Sequence, residues 1–122
     1  ATMRNHPNHA SIQAYSCETL GHLATQRQSQ IVILAKNGIV AVMETMKTHP
    51  EHVGVQEQGC RFLANMSRCH EAAVWMKNYG AIGVIQAAEN QLPRRSQARR
   101  FATDLAKRLQ TTKLLMSKSM KR

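Results

Sequence analysis

Aromatic residues are scarce in this chain: two Phe, two Tyr and a single Trp make up 4% of it. Sheets favour aromatic and β-branched side chains, so their shortage, with Ala, Leu, Ile, Val and Met supplying the apolar content, predicts an all-α fold. Long hydrophobic runs are missing too. The longest, Ile31 to Ala35 and Gly38 to Met43, fall far short of the roughly 18 to 20 residues that cross a bilayer. The first residues, Ala1 to Pro7, lack the apolar core and cleavage site of a secretory signal. Cys17, Cys60 and Cys69 are odd in number and form no disulfide framework, which fits buried thiols in a reducing compartment, cytoplasmic or nuclear. Catalytic patterns are also lacking. There is no Gly-rich phosphate loop, no evident carboxylate pair and no nucleophile with a placed base, while Cys69 and His70, as helix neighbours, point about 100° apart. No enzyme activity and no cofactor are expected.

What the chain does have is an internal period. Pro7, Pro50 and Pro93 are spaced by 43, and each suits the first turn of a helix. The same shift superposes His6 on His49, His9 on His52, Gln13 on Gln56, Cys17 on Cys60, Leu20 on Leu63 and Ile39 on Ile82. Apolar residues at Val55, Gly59, Cys60, Leu63 and Met66 form one stripe on a helix within His49 to Ser67, and the stripe recurs at Ile12, Ser16, Cys17, Leu20 and Leu23. A shorter segment follows, Cys69 to Tyr79, with Ala73, Val74 and Tyr79 expected to point inward; Gln30 to Lys36 matches it one period earlier. Asn37-Gly38 or Gly80-Ala81 then breaks the chain, and a third helix begins, Ile39 to Lys47 or Ile82 to Asn90.

Val55 to Ser67 resembles the third helix of an armadillo repeat, and Gly80-Ala81-Ile82 resembles that family's opening of its second helix. A period of this length agrees, being too long for ankyrin or tetratricopeptide units. The resemblance implies a right-handed α-solenoid of about two and a half armadillo-type repeats with three helices per repeat. The units run about 7–49, 50–92 and 93–112 within a domain of residues 1–113, and 114–122 form a basic C-terminal tail expected to fray. In the last unit the shift slips to 42, aligning Cys60 with Ala102 and Leu63 with Leu105, with Ala98, Phe101, Ala102, Leu105 and Leu109 as its stripe. The first unit offers only its long helix, so its upstream face is expected to be unprotected and open to self-association.

The resemblance also implies a protein-binding scaffold whose long helices line a concave groove for a partner segment. Asn65 matches the family's peptide-binding asparagine, with His22 and Lys107 as counterparts. Arg61 stands where relatives present a Trp, with Glu18 and Thr103 as counterparts. A groove holding Glu18, His22, Arg61, Asn65, Arg68, Arg100 and Lys107 suits an acidic or phosphorylated segment better than a basic one.

Formal charge is +10, unevenly spread. From Leu92 onward Arg94, Arg95, Arg99, Arg100, Lys107, Arg108, Lys113, Lys118, Lys121 and Arg122 face Asp104 alone. Such a block attracts nucleic acid or anionic lipid, or serves as a solvated cap. No aromatic follows Phe101 to stack on bases. His6-x-x-His9 and His49-x-x-His52 with Cys69-His70 invite a metal. Four converging ligands are required, however, and Cys17 and Cys60 belong to the apolar stripe, so helix-entry caps are the simpler expectation and no metal is assigned.

Overall fold

The computed structural model describes the backbone of residues 9–120 and the side chains of residues 9–112. Among the described residues the secondary structure is entirely helical: α1 (Ala10–Leu23), α2 (Arg27–Ala35), α3 (Gly38–Thr48), α4 (Val53–Met66), α5 (His70–Asn78), α6 (Ala81–Gln91) and α7 (Gln97–Met120). Adding 43 to the bounds of α1, α2 and α3 gives those of α4, α5 and α6 without remainder. The side chains of the basic tail expected to fray lie outside the described residues.

Local chemistry sets these boundaries. Asn37 and Gly80, 43 apart, adopt the left-handed conformation (φ 60° and 80°) that reverses the chain between α2 and α3 and between α5 and α6. Gly tolerates that conformation at little steric cost, and Asn is among the few other residues that visit it. At the start of α4 the imidazole of His52 accepts from the Val55 N–H at 3.1 Å, capping one of the free first-turn donors. Ser96 performs the same service for α7, accepting from the Arg99 N–H at 3.1 Å. Pro50 and Pro93 precede these helices in turns instead of occupying their first helical turns as expected; Pro7 lies outside the described residues.

Packing follows the 43-residue relation in part. α1 lies along α4, α4 along α7, and α3 against α6, while α5 and α6 both pack on α7. Helix α4 is therefore covered on two flanks. Val55, Cys60, Phe62, Leu63 and Met66 are all fully buried, and removing side chains the size of Phe62, Leu63 or Met66 from water contributes about 1.5 to 3 kcal/mol each. The last stripe is filled as its spacing predicts: Ala98, Ala102, Leu105 and Leu109 are buried and Phe101 half-buried.

The first stripe behaves differently. Cys17 is buried, but Ile12, Ser16 and Leu20 are half-buried and Leu23 is 47% exposed, although its counterpart Met66 is fully enclosed. The sequence pattern is the same; what differs is that α4 has α1 on its flank, whereas among the described residues nothing covers the matching flank of α1. In α5 the inward residues are Ala72, Ala73 and Met76. Ala73 was expected; Val74 is only half-buried and Tyr79 is 63% exposed, stacked on Trp75 with ring centroids 4.0 Å apart.

Buried amides tie the helices together. Gln56 Nε2 donates to the carbonyls of Met46 (2.9 Å) and His49 (2.8 Å), closing the end of α3 onto α4. Gln30 Nε2 donates to Ala24 O (2.8 Å) and Asn65 O (3.2 Å), binding the ends of α1 and α4 to α2. Such bonds satisfy helix-end carbonyls that lack intrahelical partners.

Candidate functional site

Helices α1, α4 and α7 lie side by side with α4 in the middle, and each turns one unburied side to solvent. Helical periodicity at about 100° per residue places Glu57, Arg61 and Asn65 on that side of α4, and Arg68 stands exposed in the turn that follows the helix. Glu18 and His22 occupy the corresponding positions of α1, and Arg100, Asp104 and Arg108 those of α7, with Lys107 exposed beside Arg108. Apart from Arg68, the residues picked from the sequence thus lie on the unburied sides of these three helices. His22, Arg68, Arg100 and Lys107 are exposed, whereas Glu18, Arg61 and Asn65 are half-buried.

The half-buried members take part in the fold. Asn65 Nδ2 donates to the carbonyl of Gly21 on α1 at 3.0 Å. One amide proton of the residue matched to a peptide-binding asparagine therefore serves the contact between two helices of the same chain. Arg61 places its guanidinium over the ring of Phe101 on α7, 5.9 Å from the centroid, a cation–π arrangement that spans the seam between α4 and α7.

Phe101 and Arg108 were missed from the sequence. Arg108 Nη1 donates to Ser67 Oγ at 2.6 Å, and that hydroxyl in turn donates to Ala64 O at 2.6 Å, so Arg108 clamps the end of α4. A register of 43 would have found it, since Asn65 plus 43 is Arg108, and both side chains reach back to the preceding long helix. The register of 42 pointed instead to Lys107. Two further bonds support 43: Arg99 Nη1 donates to Leu92 O at 3.1 Å, seven residues back, as Gln56 does to His49 O.

The remaining flank of α7 is polar and satisfied. The Thr103 hydroxyl donates to Glu89, and Arg99 is held by Leu92. Arg94 and Arg95 stand exposed in the turn before the helix, off the open face.

Beneath the face, burial pushes the Cys17 and Cys60 thiols up to about 12, with the Glu89 carboxylate adding to the effect at Cys60. Neither is a nucleophile at neutral pH. Among the described residues, no three His, Cys, Asp or Glu side chains converge as a metal ion would require. His52 is a helix cap, as argued above; His9 holds the matching N-cap position of α1, and His6 lies outside the described residues. Among the described residues no helix is long and apolar enough to cross a membrane. Compared with known proteins, the chain matches no family model, no curated protein and no solved structure.

Proposed function

We propose that the chain is a non-catalytic binding module, a short right-handed α-solenoid of armadillo type, and that the open face of α1, α4 and α7 receives an extended, acidic segment of a partner protein. One observation supports the reading: three long helices lie flank to flank, with Arg61 of α4 and Arg100, Lys107 and Arg108 of α7 on sides that are not buried and Arg68 in the turn after α4. Recurrence of the helix bounds at 43 residues supports the solenoid, since stacking of like units is how such chains bury their stripes. Guanidinium groups favour carboxylate partners because they donate in a fixed fork.

The test is a nuclear magnetic resonance titration of the isotope-labelled chain with acidic, neutral and basic octapeptides at moderate salt. Shifts from the acidic peptide are expected at Glu18, His22, Arg61, Arg68 and Lys107 amides. Shifts confined to α2, α5 or the turn holding Arg94 and Arg95 would reject the face. Tighter competition from a single-stranded oligonucleotide, with a steep salt dependence, would favour the alternative of an electrostatic anchor for nucleic acid; from anionic vesicles, an anchor for membrane.

A further inference from the structure

The open face is not uniformly basic. Residues 10–23, the whole of α1, contain no Lys or Arg and one carboxylate, Glu18. On α4 and in the turn that ends it, Arg61 and Arg68 outweigh Glu57; on α7, Arg100, Lys107 and Arg108 outweigh Asp104. Charge therefore rises from negative at α1 to strongly positive at α7 across three adjacent helices. The cations are also differently held. Arg61 is fixed on Phe101 and Arg108 on Ser67, so the positive edge is partly preorganised, which reduces the ordering cost of binding there.

We infer that the segment received by this face is dipolar and lies in one direction: its acidic end sits over α7 and its basic end over α1, beside Glu18. The inference rests on the open face being the binding surface. Helix axes about 8 to 10 Å apart put α7 some 16 to 20 Å from α1, which an extended chain crosses in about five or six residues. Opposite charges at the two ends of so short a segment match the gradient, and the reversed orientation sets glutamate against Glu18 and lysine against Arg100 and Lys107. Nucleic acid, negative along its whole length, gains nothing from the α1 edge.

The experiment uses a synthetic octapeptide with two lysines at one end and three glutamates at the other, carrying a nitroxide on either end in turn. A label at the glutamate end is expected to broaden the amides of Arg100, Lys107 and Thr111; a label at the lysine end, those of Glu18, His22 and Thr25. Arg68→Ala and Lys107→Ala should each weaken binding by about twofold to fivefold, while Arg94→Ala and Arg95→Ala, each removing one charge off the face, should change it less than twofold at moderate salt. The swap Glu18→Lys/Lys107→Glu leaves the net charge unchanged and should reverse the broadening pattern. Should the swap variant fail to fold by circular dichroism, the two labels on the unaltered chain decide alone. Equal broadening of α1 and α7 by both labels, or the opposite order, overturns the inference and leaves the face as a binding surface. Absence of shifts on the face with every peptide overturns both.

Discussion

Gln56 and Arg99 stand 43 residues apart and make the same bond: each side chain donates to the carbonyl seven residues earlier, His49 at 2.8 Å and Leu92 at 3.1 Å. The chemistry differs because the surroundings do. Gln56 is buried between α3 and α4 and bonds a second carbonyl, Met46, whereas Arg99, at the end of α6, is half-buried. A neutral amide suits the first position and a partly solvated cation the second.

Gln56→Leu should accordingly destabilise the chain by about 2 to 4 kcal/mol, since two buried carbonyls lose their donor. Arg99→Ala should cost only about 1 kcal/mol, because water can replace the guanidinium. Urea unfolding of the two variants checks the ranking; an equal cost would deny the difference in environment.

The left-handed residues Asn37 and Gly80 give a second pair. Asn37→Gly removes a side chain from a conformation that disfavours Cβ and should stabilise by a few tenths to about 1 kcal/mol. Gly80→Ala should destabilise by about 1 kcal/mol or more although nothing crowds its Cβ, because the strain is in the backbone. Thermal melts of both variants read the sign directly.

Glycines inside helices separate into two kinds. A Cβ at Gly59 would lie 2.5 Å from Sδ and 2.7 Å from Cγ of the buried Met46, where α3 meets α4. Gly59→Ala is therefore expected to cost about 1 to 3 kcal/mol by overpacking. Gly83 has open space around it on α6, so Gly83→Ala should stabilise by up to about 1 kcal/mol through helix propensity. A denaturant series on both proteins would expose any reversal.

The buried thiols make stability fall at high pH. Cys17 and Cys60 keep their protons to about 12 when folded, against an ordinary value of 9.0. Between those limits the unfolded chain releases protons that the folded chain retains. Stability is thus fully present below about pH 9 and falls as pH rises toward 12, by about 1.4 kcal/mol per pH unit for each thiol. Unfolding midpoints at pH 8, 9 and 10 should decline more steeply in the native chain than in Cys17→Ala/Cys60→Ala.

Much of this architecture is legible in the sequence. Repeated pairs such as Cys17 with Cys60 and Ile39 with Ile82 give the 43-residue offset between like helices but not their ends: the segment expected over Gln30 to Lys36 is the helix Arg27–Ala35. The stripes on the long helices are also readable over 14 residues, where four turns fix the phase. The nine-residue α5 has too few turns for that: its phase is decided by contact with α6 and α7, which turns Met76 inward and leaves Tyr79 outside. Exposure of Leu23 was equally hidden, since burial belongs to the neighbour and not to the stripe. For the candidate site, periodicity puts Arg61 and Asn65 on one side of α4 and Arg100 and Lys107 on the unburied side of α7. It could not reveal that Asn65 bonds Gly21, or that Phe101 lies beneath Arg61, because those are contacts between helices.

The stacked rings on α5 have an optical consequence. Trp75 is the sole tryptophan, and its indole lies nearly parallel to the phenol of Tyr79, with 16° between the planes. Emission excited at the red edge of the absorption band comes from this one place on α5, a helix that packs on α7. Any event that shifts α7, including loading of the open face, can be followed from the neighbouring helix by the colour and anisotropy of that light, with no dye attached.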